Sequence, residues 1–400
     1  MSNIIILKQK DLTNGEIQTL RCSNCEDWLK LILGSHVIRV DNITINVENF
    51  PLLECPKCLA RYLPEKSKKA IEYFFVEAKK KNKSTAIIEF NIEKAREKRF
   101  NFCKDVDFKY DPIDYEYIPG LWRAWDTGYL TPVFFKKDLL VKYYNHPDYL
   151  VEFGSDTYGT VHIRGENIIP FGMNRSQKIL MWLGELQNLS REEKLYLASN
   201  NIESDHDVAS EFYQGQIEVE FTDLPKENEI IEELNKFNKE VFKKYNFKLL
   251  HLDNEAIPIL EKIKKPIFYN KEEVGQVVDS LFKLLIERIN VKAIKNDLKN
   301  IEKQELKDLK NIKTFQMWLV KRLGIRNADE IIAPLFILYD LRKIFSHLVS
   351  DPESQKLFKN CIKRLSLLDN VSHEEVYKSL LDKLSNFYSE INSFINKSKE

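Results

Sequence analysis

The 400-residue chain lacks the features that mark several protein classes. No apolar run approaches the roughly 20 residues that a membrane-spanning helix requires, so a membrane reading is set aside. The opening Met1-Ser-Asn-Ile-Ile-Ile-Leu-Lys8 is too short and wrongly flanked for a secretory signal, which makes a cytoplasmic protein the expectation. Twelve glycines and 13 prolines are too few for a collagenous or low-complexity chain. Without a GxxxxGK[ST] loop, a GxGxxG or an HExxH, the ATPase, dinucleotide-binding and zinc-protease readings have no support. No internal repeat is visible. Net charge is missing too, with 61 Lys+Arg against 61 Asp+Glu.

What is present is globular: 43% hydrophobic and 30% charged residues, in a length that suggests two or three domains. The charge is unevenly spread. Residues 1–58 carry 6 basic against 7 acidic side chains (−1), and 59–110 carry 14 against 8 (+6). Residues 111–269 carry 18 against 27 (−9), and 270–400 carry 23 against 19 (+4). A polyanion is therefore expected at the flanks rather than the centre.

Four of the six cysteines form two pairs, Cys22-Ser-Asn-Cys25 and Cys55-Pro-Lys-Cys58, with 29 residues between them. A CxxC turn sets two thiolates on one knuckle, and two knuckles close a tetrahedral Cys₄ shell around Zn²⁺. Between the pairs, Val37 to Val47 alternates around Asp41-Asn42, a hairpin signal that returns the second knuckle to the first. The arrangement resembles a zinc ribbon, with zinc structural because four thiolates leave no open position for water. Disulfides are disfavoured in a reducing cytoplasm, and a redox CxxC lacks its βαβ setting. Cys103 and Cys361 are read as ordinary small buried residues.

Pro64 opens a helix over Glu65–Lys83, ending in a basic cluster that is most simply a solvated helix end, and Ala86–Phe90 reads as a strand. Short strands are expected at 133–135, 149–153, 160–163, 167–171 and 178–183, with Gly154 to Gly159 as a turn. Ser190-Arg-Glu-Glu193 is a capping box, and Ser204 is placed to cap a helix over Asp205–Tyr213. A strand over Gln216–Phe221, a helix over Glu227–Asn246, a strand over Phe247–Leu252 and a helix over Glu255–Ile263 follow. Five helices are then expected: Glu272–Leu298, Glu305–Leu323, Asp329–Val349, Glu353–Leu367 and Glu374–Phe394. Their short connections favour an antiparallel bundle.

On the helix from Ile331 to Val349, Ile337, Leu338, Leu341, Ile344, Phe345 and Leu348 form one apolar stripe. Arg342 and His347 flank the opposite polar face, about 140° apart, with Asp340, Lys343 and Ser346 between or beside them. Arg342-Lys-Ile-Phe-Ser-His347, inside a C-terminal helical bundle, resembles the Arg-x4–6-His signature of HEPN-type domains over roughly residues 270–400. That resemblance implies a metal-independent endoribonuclease centre formed where two such domains pair. His347 is then the general acid or base at the ribose 2′-hydroxyl or leaving oxygen, and Arg342 grips the scissile phosphate. Asp340, Lys343 and Ser346 are expected to support them. Lys343 departs from the small polar residue usual after the arginine. It offers an extra cation for RNA, or it marks a domain kept for pairing.

Two other patches are weaker. Asp205-His206-Asp207 with Glu211 is conceivable as a metal set but is better explained as helix capping. Trp125-Asp-Thr-Gly128 matches an aspartic-protease triplet but has no second copy, and it is discarded.

The expected fold is therefore multidomain α+β. It comprises a zinc ribbon (1–62), a mixed α/β middle domain with a sensor or regulatory role (63–269) and an all-α HEPN-like bundle (270–400). The expected function is a regulated RNA endonuclease of the toxin or antiphage-effector kind. It acts as a homodimer through the bundle and responds to a protein or nucleic-acid trigger. The alternatives are a non-catalytic dimerising adaptor and a zinc-ribbon nucleic-acid-binding regulator.

Overall fold

The alternating run around Asp41-Asn42 forms a long antiparallel hairpin in the computed structural model, which describes residues 4–13, 18–163, 167–251, 256–299, 308–345 and 351–397. Its arms are Lys30–Val40 (β2) and Ile43–Glu54 (β3), paired from Val40↔Ile43 to Lys30↔Glu54 with one irregularity between Gly34 and His36. Asp41 takes φ 47°, the left-handed conformation that two-residue hairpin turns use. Ile4–Leu7 (β1) runs parallel to β2, Arg61–Tyr62 (β4) pairs with the end of β3, and Thr85–Glu89 (β5) runs parallel to β3. The helix Glu65–Lys80 covers one face of this sheet with Ile71, Phe75 and Ala78, and Ser67 Oγ donates to the Pro51 carbonyl at 2.7 Å. Burying Ile71 and Phe75 stabilises the layer by about 1.5–3 kcal/mol each.

The short strands of the middle stretch assemble into one antiparallel sheet. They are Pro132–Phe135 (β6), Tyr149–Phe153 (β7), Tyr158–Ile163 (β8), Asn167–Met173 (β9), Ile179–Trp182 (β10) and Asn201–Ile202 (β11), in the order β11-β6-β10-β9-β8-β7. β6 and β10 are buried at every residue, which is why both read as unbroken apolar runs. Gly154 N–H bonds the Tyr158 carbonyl at 2.9 Å, closing the expected turn. Ser190 Oγ caps Arg191–Asn200 by accepting from Glu193 N–H, whereas the Glu193 carboxylate takes Lys142, Tyr143 and Tyr149, so only the serine half of the expected capping box forms. Gln216–Phe221 is not a strand. Gln214–Glu218 is a π-helical turn, held where Trp182 Nε1 donates to Gln216 Oε1 at 2.6 Å. Ser204 does not cap a long helix either; Ser210 caps the short Glu211–Tyr213.

The chain divides into two units, residues 1–223 and 224–400, so the sequence-expected border at 269/270 lies within the second unit. The helix Lys226–Tyr245 belongs to that unit: Ile230, Leu234, Phe237 and Val241 join the core of the C-terminal helices. On its flank Tyr377 donates to Glu227 at 2.7 Å, Ser385 to Glu229 at 2.8 Å and Asn392 to Glu233 at 2.8 Å, all from the helix His373–Lys397.

Among the other helices, the expected Glu272–Leu298 is split. Lys271–Phe282 passes through a π turn, Lys283–Glu287, and Val291–Leu298 begins afresh under an Asn290 cap. The break is imposed from a distance. Asn290 N–H bonds the Leu249 carbonyl at 2.8 Å and His251 N–H the Arg288 carbonyl at 3.0 Å. The expected strand at 247–252 is reduced to this single bridge, with residue 252 outside the described residues. Ile257–Leu260 is a remnant of the expected Glu255–Ile263. Asn311–Leu323 ends on Gly324 at φ 67°, and Pro334, which has no N–H, separates Ala328–Ile331 from Ala333–Phe345. Asp351–Arg364 follows. No helix among the described residues is long and apolar enough to cross a membrane.

Trp318 anchors this core. It is fully buried among Phe237, Tyr245, Phe247 and Phe315, and its Nε1 donates to Asp297 Oδ2 at 2.9 Å. Trp318→Ala should lower the unfolding free energy by about 3–5 kcal/mol in urea denaturation. Trp318→Phe, which keeps a ring and removes only one of the donors to Asp297, should lose less.

Candidate functional site

The two CxxC segments are conformational copies. In the first, Cys22 N–H bonds the Asp27 carbonyl and Glu26 N–H the Cys22 carbonyl, both at 2.8 Å. In the second, Cys55 N–H bonds Ala60 and Leu59 N–H bonds Cys55, again both at 2.8 Å. Each knuckle is closed by an antiparallel pair one residue before its first cysteine and three after its second: Arg21↔Trp28 and Glu54↔Arg61. The residue after each second cysteine is left-handed, Glu26 at φ 60° and Leu59 at φ 61°. Neither is glycine, so each turn carries about 1–2 kcal/mol of backbone strain.

The four sulfurs of Cys22, Cys25, Cys55 and Cys58 lie within 4.8 Å of one another. The short contacts run between knuckles, Cys22 to Cys58 and Cys25 to Cys55, each at 3.5 Å. A tetrahedron of sulfurs around zinc at about 2.3 Å has edges near 3.8 Å, so the donor set is compatible with a zinc site. Among the described residues these four are the one group of His, Cys, Asp and Glu gathered closely enough to share a metal ion. Burial raises the Cys22 thiol, but the Tyr62 hydroxyl at 3.2 Å and the Asn24 backbone outweigh it and hold it at about 6. For Cys25 the Asp27 backbone lowers the thiol, yet burial and the neighbouring Cys55, Cys58 and Cys22 push it up to about 12. Four thiols this close do not all ionise unless a cation balances them.

Of the candidate residues on the C-terminal helix, Arg342 is placed on Ala333–Phe345 with Ile337, Leu338, Leu341, Ile344 and Phe345 buried behind it, as expected. Its Nε donates to Asp279 Oδ1 at 3.2 Å and its guanidinium lies 4.8 Å from the Phe282 ring centroid. Asp340 is drawn to Arg364 at 2.7 Å, and Lys343 Nζ lies 4.4 Å from the Tyr339 ring. Ser346, His347 and Leu348 lie outside the described residues. Asp279 and Phe282 carried no signal toward Arg342 in the sequence, because the pair is 63 residues apart.

The Asp205–Glu211 patch does not converge on a metal. Asp205 accepts from Asn174 at 3.0 Å, Asp207 takes Arg175 at 3.0 and 3.2 Å, and Glu211 accepts from the Thr157 backbone at 2.6 Å. His206 Nδ1 meets Asp114 Oδ1 at 2.6 Å, with Ser204 Oγ on the other carboxylate oxygen at 2.6 Å. Arg175 also reaches the Trp28 carbonyl at 3.3 Å, and Leu31 N–H the His206 carbonyl at 3.2 Å. The segment is thus a polar latch between the first knuckle and the second sheet.

Burial lowers the His206 pKa, but its hydrogen bond to Asp114 and the charges of Asp114 and Asp111 raise it above 6.5 against the opposing Arg96. Burial also raises the Asp114 carboxyl, against the pull of His206 and Ser204. A raised histidine contributes stability that is complete below its unfolded value of 6.5 and is lost as pH rises through the folded value. Thermal melts of the wild type should therefore lose stability as pH rises beyond 6.5, and His206→Gln should flatten that slope. A scan against family models, a search of curated proteins and a search of solved structures found no match to this chain.

Proposed function

We propose that the protein is a HEPN-type, metal-independent endoribonuclease working as a homodimer through its C-terminal helices, with structural zinc in the four-cysteine site. The observation that carries the nuclease reading is the setting of Arg342. The guanidinium sits half-exposed at the end of an amphipathic helix, held by Asp279 and Phe282, five residues before His347. In this reading His347 exchanges protons with the ribose 2′-hydroxyl or the leaving oxygen, and Arg342 carries the scissile phosphate and its developing charge. Lys343 adds a cation beside it. Asp340, engaged with Arg364, supports the helix that carries the pair. A trigger-controlled toxin or defence effector in the cytoplasm is the setting this reading implies.

Zinc, held by Cys22, Cys25, Cys55 and Cys58, supplies cross-linking and no reaction step. Purified protein should carry about one zinc per chain by elemental analysis, and Cys25→Ser or Cys58→Ser should abolish it. Stripping the metal should cost on the order of several kcal/mol of stability and should become easier as pH falls, because protons compete for the thiolates.

The nuclease is tested by incubating mixed RNA with wild type, Arg342→Ala and His347→Ala in EDTA. Cleavage by wild type alone, leaving cyclic-phosphate or 5′-hydroxyl ends, is expected, with each variant at least about 100-fold slower. Equal cleavage by all three would sink the assignment of these two residues. Absence of cleavage from an intact dimer would favour the adaptor.

A further inference from the structure

We propose that Asp279 is a positioning residue. By taking Nε of Arg342 alone, it turns the two Nη groups outward as a fork for one phosphodiester. The inference rests on the nuclease reading for its substrate, and on the contacts of Arg342 for its geometry.

Three arginines of the molecule show the contrast. Arg322 gives Asp297 both Nε, at 2.7 Å, and Nη2, at 2.8 Å, with a further bond from Nη2 to the Asp297 carbonyl at 2.9 Å. Arg175 gives Asp207 Nε at 3.0 Å and Nη2 at 3.2 Å. In both, at least one Nη is committed to the fold, so neither keeps a free pair of Nη groups. Arg342 gives Asp279 only Nε, at 3.2 Å. Among the described residues neither of its Nη atoms has a hydrogen-bond partner, and neither is a buried orphan. They therefore reach solvent, and a planar fork with two parallel N–H groups is matched to two oxygens of a phosphate.

The rest of the setting fixes that fork in space. The Phe282 ring, 4.8 Å from Cζ, constrains the guanidinium plane. The helices Lys271–Phe282 and Ala333–Phe345 approach so closely at Gly275 that a Cβ there would lie 3.1 Å from Phe345 Cβ. Asp279 stands one turn beyond that crossing. Its second oxygen is held by Lys283 at 2.6 Å, so the carboxylate is pinned from its own helix while it holds the arginine of the other. Lys283 and Arg342 together outweigh the effect of burial and lower the Asp279 carboxyl, so it stays ionised at neutral pH.

The test uses the full chain as wild type, Asp279→Asn and Asp279→Glu, each first checked for an unchanged melting curve. Arg342 Nε–Hε is followed by NMR, assigned with Arg342→Lys, while uridine 3′-monophosphate is titrated. The wild-type signal is expected to be slow to exchange with water and to shift with the nucleotide. In Asp279→Asn it should exchange faster and respond at least about tenfold more weakly, and Asp279→Glu should partly restore both. In RNA cleavage Asp279→Asn should lower kcat by about tenfold or more with KM changed far less. A wild-type Arg342 signal indifferent to the nucleotide would overturn the proposal. So would an Asp279→Asn protein that binds or cleaves as well as wild type or better, the latter marking Asp279 as a restraint. The nucleotide titration needs no cleavage, so failure of the nuclease reading and failure of the fork are told apart.

Discussion

The register of one hairpin governs the N-terminal unit. Lys30 pairs with Glu54 on the last rung of β2 and β3, and Cys55 is the next residue beyond that rung. The first knuckle ends just before β2 begins, so both cysteine pairs arrive at the same end of the same ladder. A slip of one residue would turn every side chain of an arm to the opposite face, exposing Ile38, Ile45 and Val47 and carrying Cys55 away from Cys25. The apolar face and the thiol cluster therefore enforce the same pairing, one through burial and the other through a shared site.

In the helical unit the corresponding constraint is the crossing of Lys271–Phe282 with Ala333–Phe345. The absent side chain at Gly275 lets the two backbones approach, and that approach brings Asp279 and Phe282 within reach of Arg342. The polar grip follows from apolar packing: Ile337, Leu338, Leu341 and Ile344 fix the rotation of one helix, and Val274, Val277, Val278 and Leu281 fix the other. A salt bridge as exposed as this adds little stability. Its consequence is orientation.

The sequence made local structure legible and long-range partnership opaque. Two-residue periodicity and Asp41-Asn42 were enough for the hairpin, and CxxC spacing was enough for the cysteine cluster, because both signals lie within a few residues. Helical periodicity likewise marked Lys226–Tyr245, but an amphipathic stripe does not say which core it faces, and this one faces the C-terminal helices. The interruption at residues 288–290 was unreadable because backbone groups of Leu249 and His251 impose it. Gln216–Phe221 alternates like a strand yet is turned by hydrogen bonds from Trp182 and to Tyr158. The pairings Asp114–His206 and Asp279–Arg342 span 92 and 63 residues, beyond any local pattern. Sequence reasoning grouped His206 with its neighbours along the chain, and each of those neighbours faces elsewhere.

The matched geometry of the two knuckles bears on the order of assembly. Each knuckle is a small closed hairpin that forms within about ten residues and brings two sulfurs together, whereas the full set of four exists only after the arms between them have zipped along their length. Local closure of this kind is fast, and pairing across the longer loop comes later. A soft cation meeting the young chain would find only two thiolates at either knuckle. Only the correctly registered hairpin offers four. Under the zinc reading proposed above, metal capture would act as a proofreading step on strand pairing, retaining chains whose arms have met in the right frame and releasing those that have not.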